Sequence, residues 1–449
     1  MTNAGKFGHL LAVSVLLMAL LVSASVPASA KSEIGHGRPP HQGTRFYVPK
    51  PNRGALEQIV DLIKSHNKAD ARLIAKMIAT PQAVWFTAGT PKSVRQDVKK
   101  IVKQAAARRA VPVLVAYNIP FRDCAQFSAG GATTVEEYQA WIDGFAAGIG
   151  SAKAVVILEP DGLGIIPWYD PYADADGSDA LEWCQPAEAD PATAAAERFA
   201  MLNYAVDALK AKPNVSVYLD GTHSAWLGVG DAAHRLYQAG VARADGFFLN
   251  VSNYQYSVNQ VFYGNWISSC LAVAGTPAEF NGCPNQYWNG GPLPAHIAQL
   301  WGEWNGVAMD RYGEWSETSE VQALDPSGIN QRYADMLGST VPTAHFVIDS
   351  SRNGQGPWNP TPGYPDAQDW CNPPDRGLGL RPTADTGADL LDAYLWVKIP
   401  GESDGECTRG LGAAGETVDP EWGLIDPAAG QWFPEMALDL AHNANPPLP

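Results

Sequence analysis

The sequence predicts an α/β fold, a TIM-like parallel (β/α) barrel of seven strands in a single domain. Three observations carry that prediction. Short runs of β-branched and aliphatic residues alternate with stretches of helical periodicity, the pattern of strand–helix–strand units on a parallel sheet. There are seven such runs, enough for the sheet to curl into a barrel. Each run stops at or just before acids, amides, bases or aromatic residues, and in a parallel barrel those ends share one face.

The elements follow in order. Residues 1–30 lie outside the barrel: Lys6 precedes an apolar run from Leu10 to Val22, and Ala28-Ser29-Ala30 has the small-x-small spacing of a signal-peptide cleavage site. The run is short for a membrane span, so the expectation is a secreted chain cleaved near Ala30. Residues 31–43 read as a short polar arm and 44–449 as one domain. The first strand is Ala83–Thr87. Val94, Val98, Ile101, Val102 and Ala105 then repeat at helical spacing. Val111–Tyr117 is the second strand, Val135–Ile149 a helix, and Ala154–Glu159 the third strand. An Ala-rich helix near Thr193–Ala211 leads to the strand Val215–Asp220, and helical Asp231–Gly240 leads to Gly246–Asn250. An irregular excursion with Cys and Trp follows, then a helix near Ile329–Leu337 and the strand Ala344–Asp349. Ala393–Lys398 is the seventh strand and Phe433–Ala444 a closing helix.

Composition narrows the partners. Removing residues 1–30 takes away one Lys and no acid, leaving 30 cationic against 47 acidic side chains, a net charge of −17. So acidic a surface argues against nucleic acid and anionic membranes, and is indifferent to a neutral ligand. Six cysteines in an exported chain favour disulfides: Cys124, Cys184, Cys270, Cys283, Cys371 and Cys407. Their order suggests three sequential pairs without fixing the connectivity. No CxxC or clustered Cys/His spacing indicates a metal, and no cofactor is expected. The chain is expected to be a monomer.

The strand ends supply the chemistry. VVILEPDGLG (155–164) places Glu159 and Asp161 at the mouth of a buried strand; taken alone, Asp161 serves equally well as a helix or turn cap. Its neighbours change that reading. Trp85, Tyr117 with Arg122 and Asp123, Asp220 with His223 and Trp226, Asn250 with Asn253, Asp349 with Arg352, and Lys398 with Glu402 and Asp404 all fall on the same face. Aromatic faces stack on the apolar faces of pyranose rings, while amides and charges read hydroxyls, so this is a sugar-binding set. Glycoside hydrolysis needs one carboxyl to protonate the leaving oxygen and a second group to deliver water or attack. Asp161 suits the acid, its proton retained by repulsion from Asp123, which stays ionised beside Arg122. Asp404 suits a base or a water-orienting carboxylate, with Lys398 and Glu402 fixing its loop. His223 reads equally as a satisfied polar residue at a turn.

Successive blocks then carry a resemblance: YNIPFRDCAQFSAGG, VVILEPDGLG, LDGTHSAWLG, NVSNYQ, IDSSRNGQGPW, WCNPP with GLRPTADTG, and WVKIPGESDG. In this order, from about Arg45 to the C-terminus, they resemble glycoside hydrolase family 6, and bacterial endo-β-1,4-glucanases of that family in particular. The resemblance implies a distorted seven-stranded α/β barrel acting on β-1,4-glucan, with inversion at the anomeric carbon. It implies Asp161 as general acid and Asp123 as modulator of its pKa and stabiliser of the oxocarbenium-like transition state. Tyr117 would pack against the distorted ring, Ser128 hold the water, and Asp404 be the proposed base, directly or through a chain of waters. Asp220, His223, Asn250, Arg352, Lys398 and Glu402 match sugar-contacting or loop-fixing positions, and Trp85, Trp226 and Trp370 match stacking platforms. It also implies the disulfides Cys124–Cys184 and Cys371–Cys407, leaving Cys270–Cys283 as a local staple.

Family cellobiohydrolases roof their cleft with two long loops and carry a distal Trp in a WLGW pattern. Here Val229 follows Trp226-Leu227-Gly228, and Lys398–Phe433 is modest in length. Both features favour an open cleft and an endo-acting enzyme, with the insertion between Cys270 and Trp304 as a segment able to wall it. No cellulose-binding module is visible, which favours soluble or amorphous glucan. The competing expectations are a cellobiohydrolase of the same family and a glucan-binding protein without turnover.

Overall fold

A computed structural model describes residues 39–171, 181–287, 308–360 and 363–449. The expected signal peptide, most of the polar arm and much of the Cys270–Trp304 insertion lie outside the described residues. Seven parallel strands form one sheet in chain order: β1 Val84–Phe86, β2 Val113–Ala116, β3 Ala154–Leu158, β4 Val215–Asp220, β5 Gly246–Leu249, β6 His345–Asp349 and β7 Leu391–Leu395. Side chains alternate across it. Val113, Val115, Val155, Ile157, Tyr218, Phe248, Val347, Ala393 and Leu395 fill the inside of the curl. Leu114, Ala116, Val156, Leu158, Val217 and Leu219 face the other way, packing with residues of the surrounding helices.

The sheet curls without closing by a ladder. Among the described residues, β1 and β7 meet through the Ala83 N–H donating to the Trp396 carbonyl (2.9 Å) and the Trp85 indole donating to the Val397 carbonyl (2.8 Å). This is the distortion the resemblance implies.

Helices α1 (Arg53–Lys64) and α2 (Lys68–Ile78) precede the sheet; both are amphipathic, and the strand–helix reading of the sequence starts only after them. In α1, Ala55, Gln58, Ile59 and Leu62 pack inward while Leu56, Val60 and Ile63 are exposed. The crossovers are α3 (Pro91–Ala107), α4 (Val135–Ile149), α5 (Ala194–Lys210) and α6 (Val229–Gln238). The excursion after β5, expected to be irregular, instead opens with a long helix, α7 (Ser257–Val273), and a short one, α8 (Pro277–Asn281). Asn259, Gln260, Ser268 and Ser269 of α7 are buried beside Tyr263, Trp266 and Ile267, so no polar face remains to reveal its period. Helix α9 (Ser327–Leu337) precedes β6, and α10 (Pro434–His442) packs with α1 and α2 around Trp396 and Phe433.

Disulfides join Cys124 to Cys184, Cys270 to Cys283 and Cys371 to Cys407. No helix among the described residues is long and apolar enough to cross a membrane.

Candidate active site

The C-terminal strand ends open on a cleft of about 690 Å³. Trp85 reaches it from β1, Tyr117, Asp123 and Ser128 from the loop after β2, and Asp161 from the turn after β3. His223 and Trp226 come from the loop after β4, Trp370 from the β6–β7 connection, and Lys398, Glu402 and Asp404 from beyond β7.

The turn that carries Asp161 is held from three sides. Glu159 and Asp161 both have left-handed backbone (φ 53° and 61°), a conformation costing about 1–3 kcal/mol for such residues unless the surroundings enforce it. Those surroundings are specific. The buried Glu159 carboxylate accepts the N–H groups of Asn118 (2.8 Å) and Ile119 (3.0 Å). Arg198 of α5 donates to the carbonyls of Gly162 (2.8 Å), Ile165 (2.7 Å) and Pro120 (2.8 Å). Asp220 accepts the N–H groups of Leu163 and Gly164, each at 3.2 Å. Gly164 is required for packing: a Cβ there would lie 2.4 Å from the Trp226 ring.

Asp161 is partly exposed, and among the described residues nothing hydrogen-bonds to its carboxyl. Its pKa is pushed well above the usual carboxylate range, by burial first and then by Asp220 and Asp123, against the pull of Lys398. Repulsion from Asp123 is therefore a lesser cause than the sequence suggests. The Asp123 carboxyl is shifted in the same direction, though less. Burial lifts it to about 6, against a short bond from the Ser128 N–H (2.7 Å) and the charge of Arg122. Arg122 is engaged elsewhere: it donates to the carbonyls of Ser128, Thr87 and Tyr117 and lies over the Tyr117 ring at 4.5 Å.

Asp404 has the opposite environment. One carboxylate oxygen accepts from Arg352 (2.8 Å), the Tyr254 hydroxyl (3.1 Å) and the Asn372 N–H (3.0 Å), and the other lies 3.2 Å from the Lys398 ammonium. Burial alone would raise its pKa, but Arg352 and Lys398 outweigh it and hold the carboxyl below its ordinary value. Gly405 lets Phe127 close on this loop, since a Cβ there would sit 2.4 Å from Phe127 atoms.

The other lining residues are fixed in turn. His223 is kept neutral, its pKa lowered to about 3 by burial and then by Arg311; its Nδ1 accepts the Ala225 N–H (3.2 Å), which places the ring proton on Nε2. Its ring lies 5.7 Å from that of Trp226. Trp85 meets Tyr117 edge-on at 5.4 Å, and Trp370 packs 5.9 Å from Phe127. Glu402 accepts from Asn52 (2.7 Å).

Three expected sugar contacts stand behind the cleft lining. Asp220 braces the Asp161 turn, Asn250 donates to the Asp349 carbonyl (2.9 Å), and Arg352 is fully buried against Asp404 and the Tyr254 ring. Their place is loop-fixing. Sequence reasoning also missed residues that matter here. Arg198 falls on the apolar stripe of α5 with Leu202, Ala205 and Leu209, and a lone Arg on such a stripe is a legible signal. Asn372, inside the WCNPP block, donates to the Ser403 hydroxyl, the Gly405 carbonyl and Asp426, and accepts the Asp404 N–H (2.8 Å). Trp183, Phe127 and the ion-paired Arg311 and Asp369 also line the cleft.

This electrostatics fixes how stability responds to pH. Asp123 and Asp220 are raised to about 6 and Glu159 to about 7, each chiefly by burial. Unfolded carboxyls titrate near ~4, so between roughly pH 4 and 7 the folded chain keeps protons that the unfolded chain has released, and stability falls as pH rises. Asp404, depressed on folding, stabilises above its unfolded pKa and loses that contribution in acid. The melting temperature is expected to be higher at pH 5 than at pH 8. A calorimetric profile flat or rising over that interval contradicts this balance.

Residues 41–444 match the family model for glycosyl hydrolases family 6. Endoglucanase A of Cellulomonas fimi is 32% identical over 406 residues, 90% of this chain but 62% of that protein, so the chain spans about three-fifths of this relative's length. Endoglucanase 1 of Streptomyces halstedii is 30% identical over 95% of this chain and 97% of its own. The 1,4-β-D-glucan cellobiohydrolase C of Emericella nidulans is 28% identical over 82% of this chain and 69% of its own. Among solved structures, the endoglucanase Cel6 of Mycobacterium tuberculosis, in complex with methyl-cellobiosyl-4-deoxy-4-thio-β-D-cellobioside, is 31% identical with a TM-score of 0.58, covering 89% of this chain and 97% of that one. With nearly its whole described length matched and its seven strands in the same kind of curled sheet, the chain belongs to glycosyl hydrolases family 6.

Proposed function

We propose that the chain is a secreted, monomeric, inverting endo-β-1,4-glucanase. The observation that carries this reading is the contrast between two carboxyls on one cleft: among the described residues Asp161 makes no hydrogen bond, and burial with the nearby Asp220 and Asp123 favours its protonated form, whereas the Asp404 carboxylate is paired with Arg352 and Lys398. Asp161 gives its proton to the glycosidic oxygen as the bond to the anomeric carbon breaks. Water adds from the opposite face, and its proton passes to Asp404 directly or through a second water. Asp123 stabilises the positive charge that develops on the sugar and raises the pKa of Asp161. Ser128 holds the water, and Tyr117 packs against the distorted ring. Trp85, Trp226 and Trp370 stack on glucosyl rings, with His223, Lys398 and Glu402 binding hydroxyls.

Endo action is supported by the endoglucanase names of the relatives at 30–32% identity, against 28% for the cellobiohydrolase. Val229 adds support: it is buried at the start of α6, so the chain offers no further ring at that position. The test follows the viscosity of carboxymethylcellulose against reducing ends, with proton NMR of the first product. The reading expects a steep viscosity loss per bond cleaved and the α-anomer. A shallow loss indicates the cellobiohydrolase, the β-anomer contradicts inversion, and no reducing ends over hours indicates a binding protein.

A further inference from the structure

Among the described residues, Trp183 alone of the tryptophans is exposed, at 55%, and it lines the cleft. A single exposed apolar side chain is ordinary by itself; what distinguishes Trp183 is that its exposed ring lines the cleft and that its backbone is held in place. The backbone on either side is pinned. Glu182 ion-pairs with the fully buried Arg235, which also binds Asp231 and donates to the Leu163 carbonyl (2.9 Å) within the Asp161 turn. Cys184 is buried in the disulfide to Cys124, next to Asp123, and its carbonyl accepts the Trp168 N–H (2.9 Å). The Glu182 N–H donates to the Tyr169 carbonyl (2.8 Å). A flat apolar ring is thus presented to the cleft from a mount tied to the loops that bear Asp161 and Asp123. In a β-1,4-glucan the equatorial hydroxyls leave apolar faces above and below each ring, and such a face matches an indole.

We propose that Trp183 is a stacking platform for a glucosyl ring remote from the bond that breaks, so that the cleft grips longer chains more tightly than short ones. This rests on the β-1,4-glucan reading above. The test compares Trp183→Ala with the wild-type chain on cellohexaose and cellotetraose. The expected result is about a tenfold loss of kcat/KM on the hexamer, the scale of one lost stacked ring, carried by KM and nearly absent on the tetramer. Trp183→Phe should recover most of the loss, and the melting temperature should not move. Cellohexaose should also perturb wild-type tryptophan fluorescence more strongly than that of the Ala variant. Equal losses on both oligomers, or none on the hexamer, overturn the proposal. If the wild-type chain releases no reducing sugar, the activity reading fails, and the fluorescence titration still decides the platform: an identical signal in the Ala variant overturns it.

Discussion

Replacing Asp161 with Asn is expected to lower kcat on soluble cellulose derivatives by about 10²–10⁴-fold, the usual size of general-acid catalysis. Melting temperature and oligosaccharide binding should change little. The carboxyl makes no hydrogen bond among the described residues, so an isosteric amide leaves no partner stranded, and it removes a group whose ionised form the surroundings oppose. The alkaline limb of the pH–rate profile should also go, because that limb reports loss of the Asp161 proton. A variant retaining near-normal turnover excludes Asp161 as the acid.

Asp404→Asn should damage both activity and stability. In the folded chain its carboxylate sits between Arg352, which is fully buried, and Lys398, and also accepts from Tyr254 and Asn372. Removing the negative charge leaves a buried guanidinium uncompensated, an error of about 3–5 kcal/mol. Activity should fall about 10²-fold or more, since both the proton acceptor and the setting of its loop are disturbed. Chemical denaturation and initial rates measure the two effects separately. An unchanged denaturation midpoint would show that the ion pairs contribute little; unchanged rates would remove Asp404 from the mechanism. The contrast with Asp161 is the useful part: one substitution should affect turnover alone, the other turnover and fold together.

The strands were legible because parallel strands buried on both sides read as short, mostly apolar runs, as in AVVIL of β3 and, with Ser216 the one polar residue before its terminal Asp220, VSVYLD of β4. Helices were legible where one face meets water, as in α3, and illegible where that contrast fails. In α7 both faces are buried, whereas α1 and α2 keep the contrast and were missed only because the strand–helix alternation begins after them. The cleft residues were legible for a related reason. A carboxylate or amide at the end of an apolar run stands out against its neighbours, which is how Asp161 and Asp220 were found. Which of these face the cleft is not written in the run. Asp220, Asn250 and Arg352 carry the same residue types as the lining yet stand behind it, because a loop's backbone N–H groups and a buried carboxylate need partners as much as a sugar does. Asn372 and Trp183 left no periodic trace, since each lies in a loop whose conformation is set by disulfides and distant side chains.

Asp161→Ala, assayed on two substrates that differ only in leaving group, tests the central assignment most directly. One is a cello-oligosaccharide, whose departing sugar alcohol needs a proton; the other is the corresponding glycosyl fluoride, whose leaving group needs far less acid assistance. A loss of about 10³-fold or more is expected on the first and a much smaller loss on the second. Equal losses on both would mean that Asp161 contributes something other than the proton, and the acid would have to be sought elsewhere in the cleft.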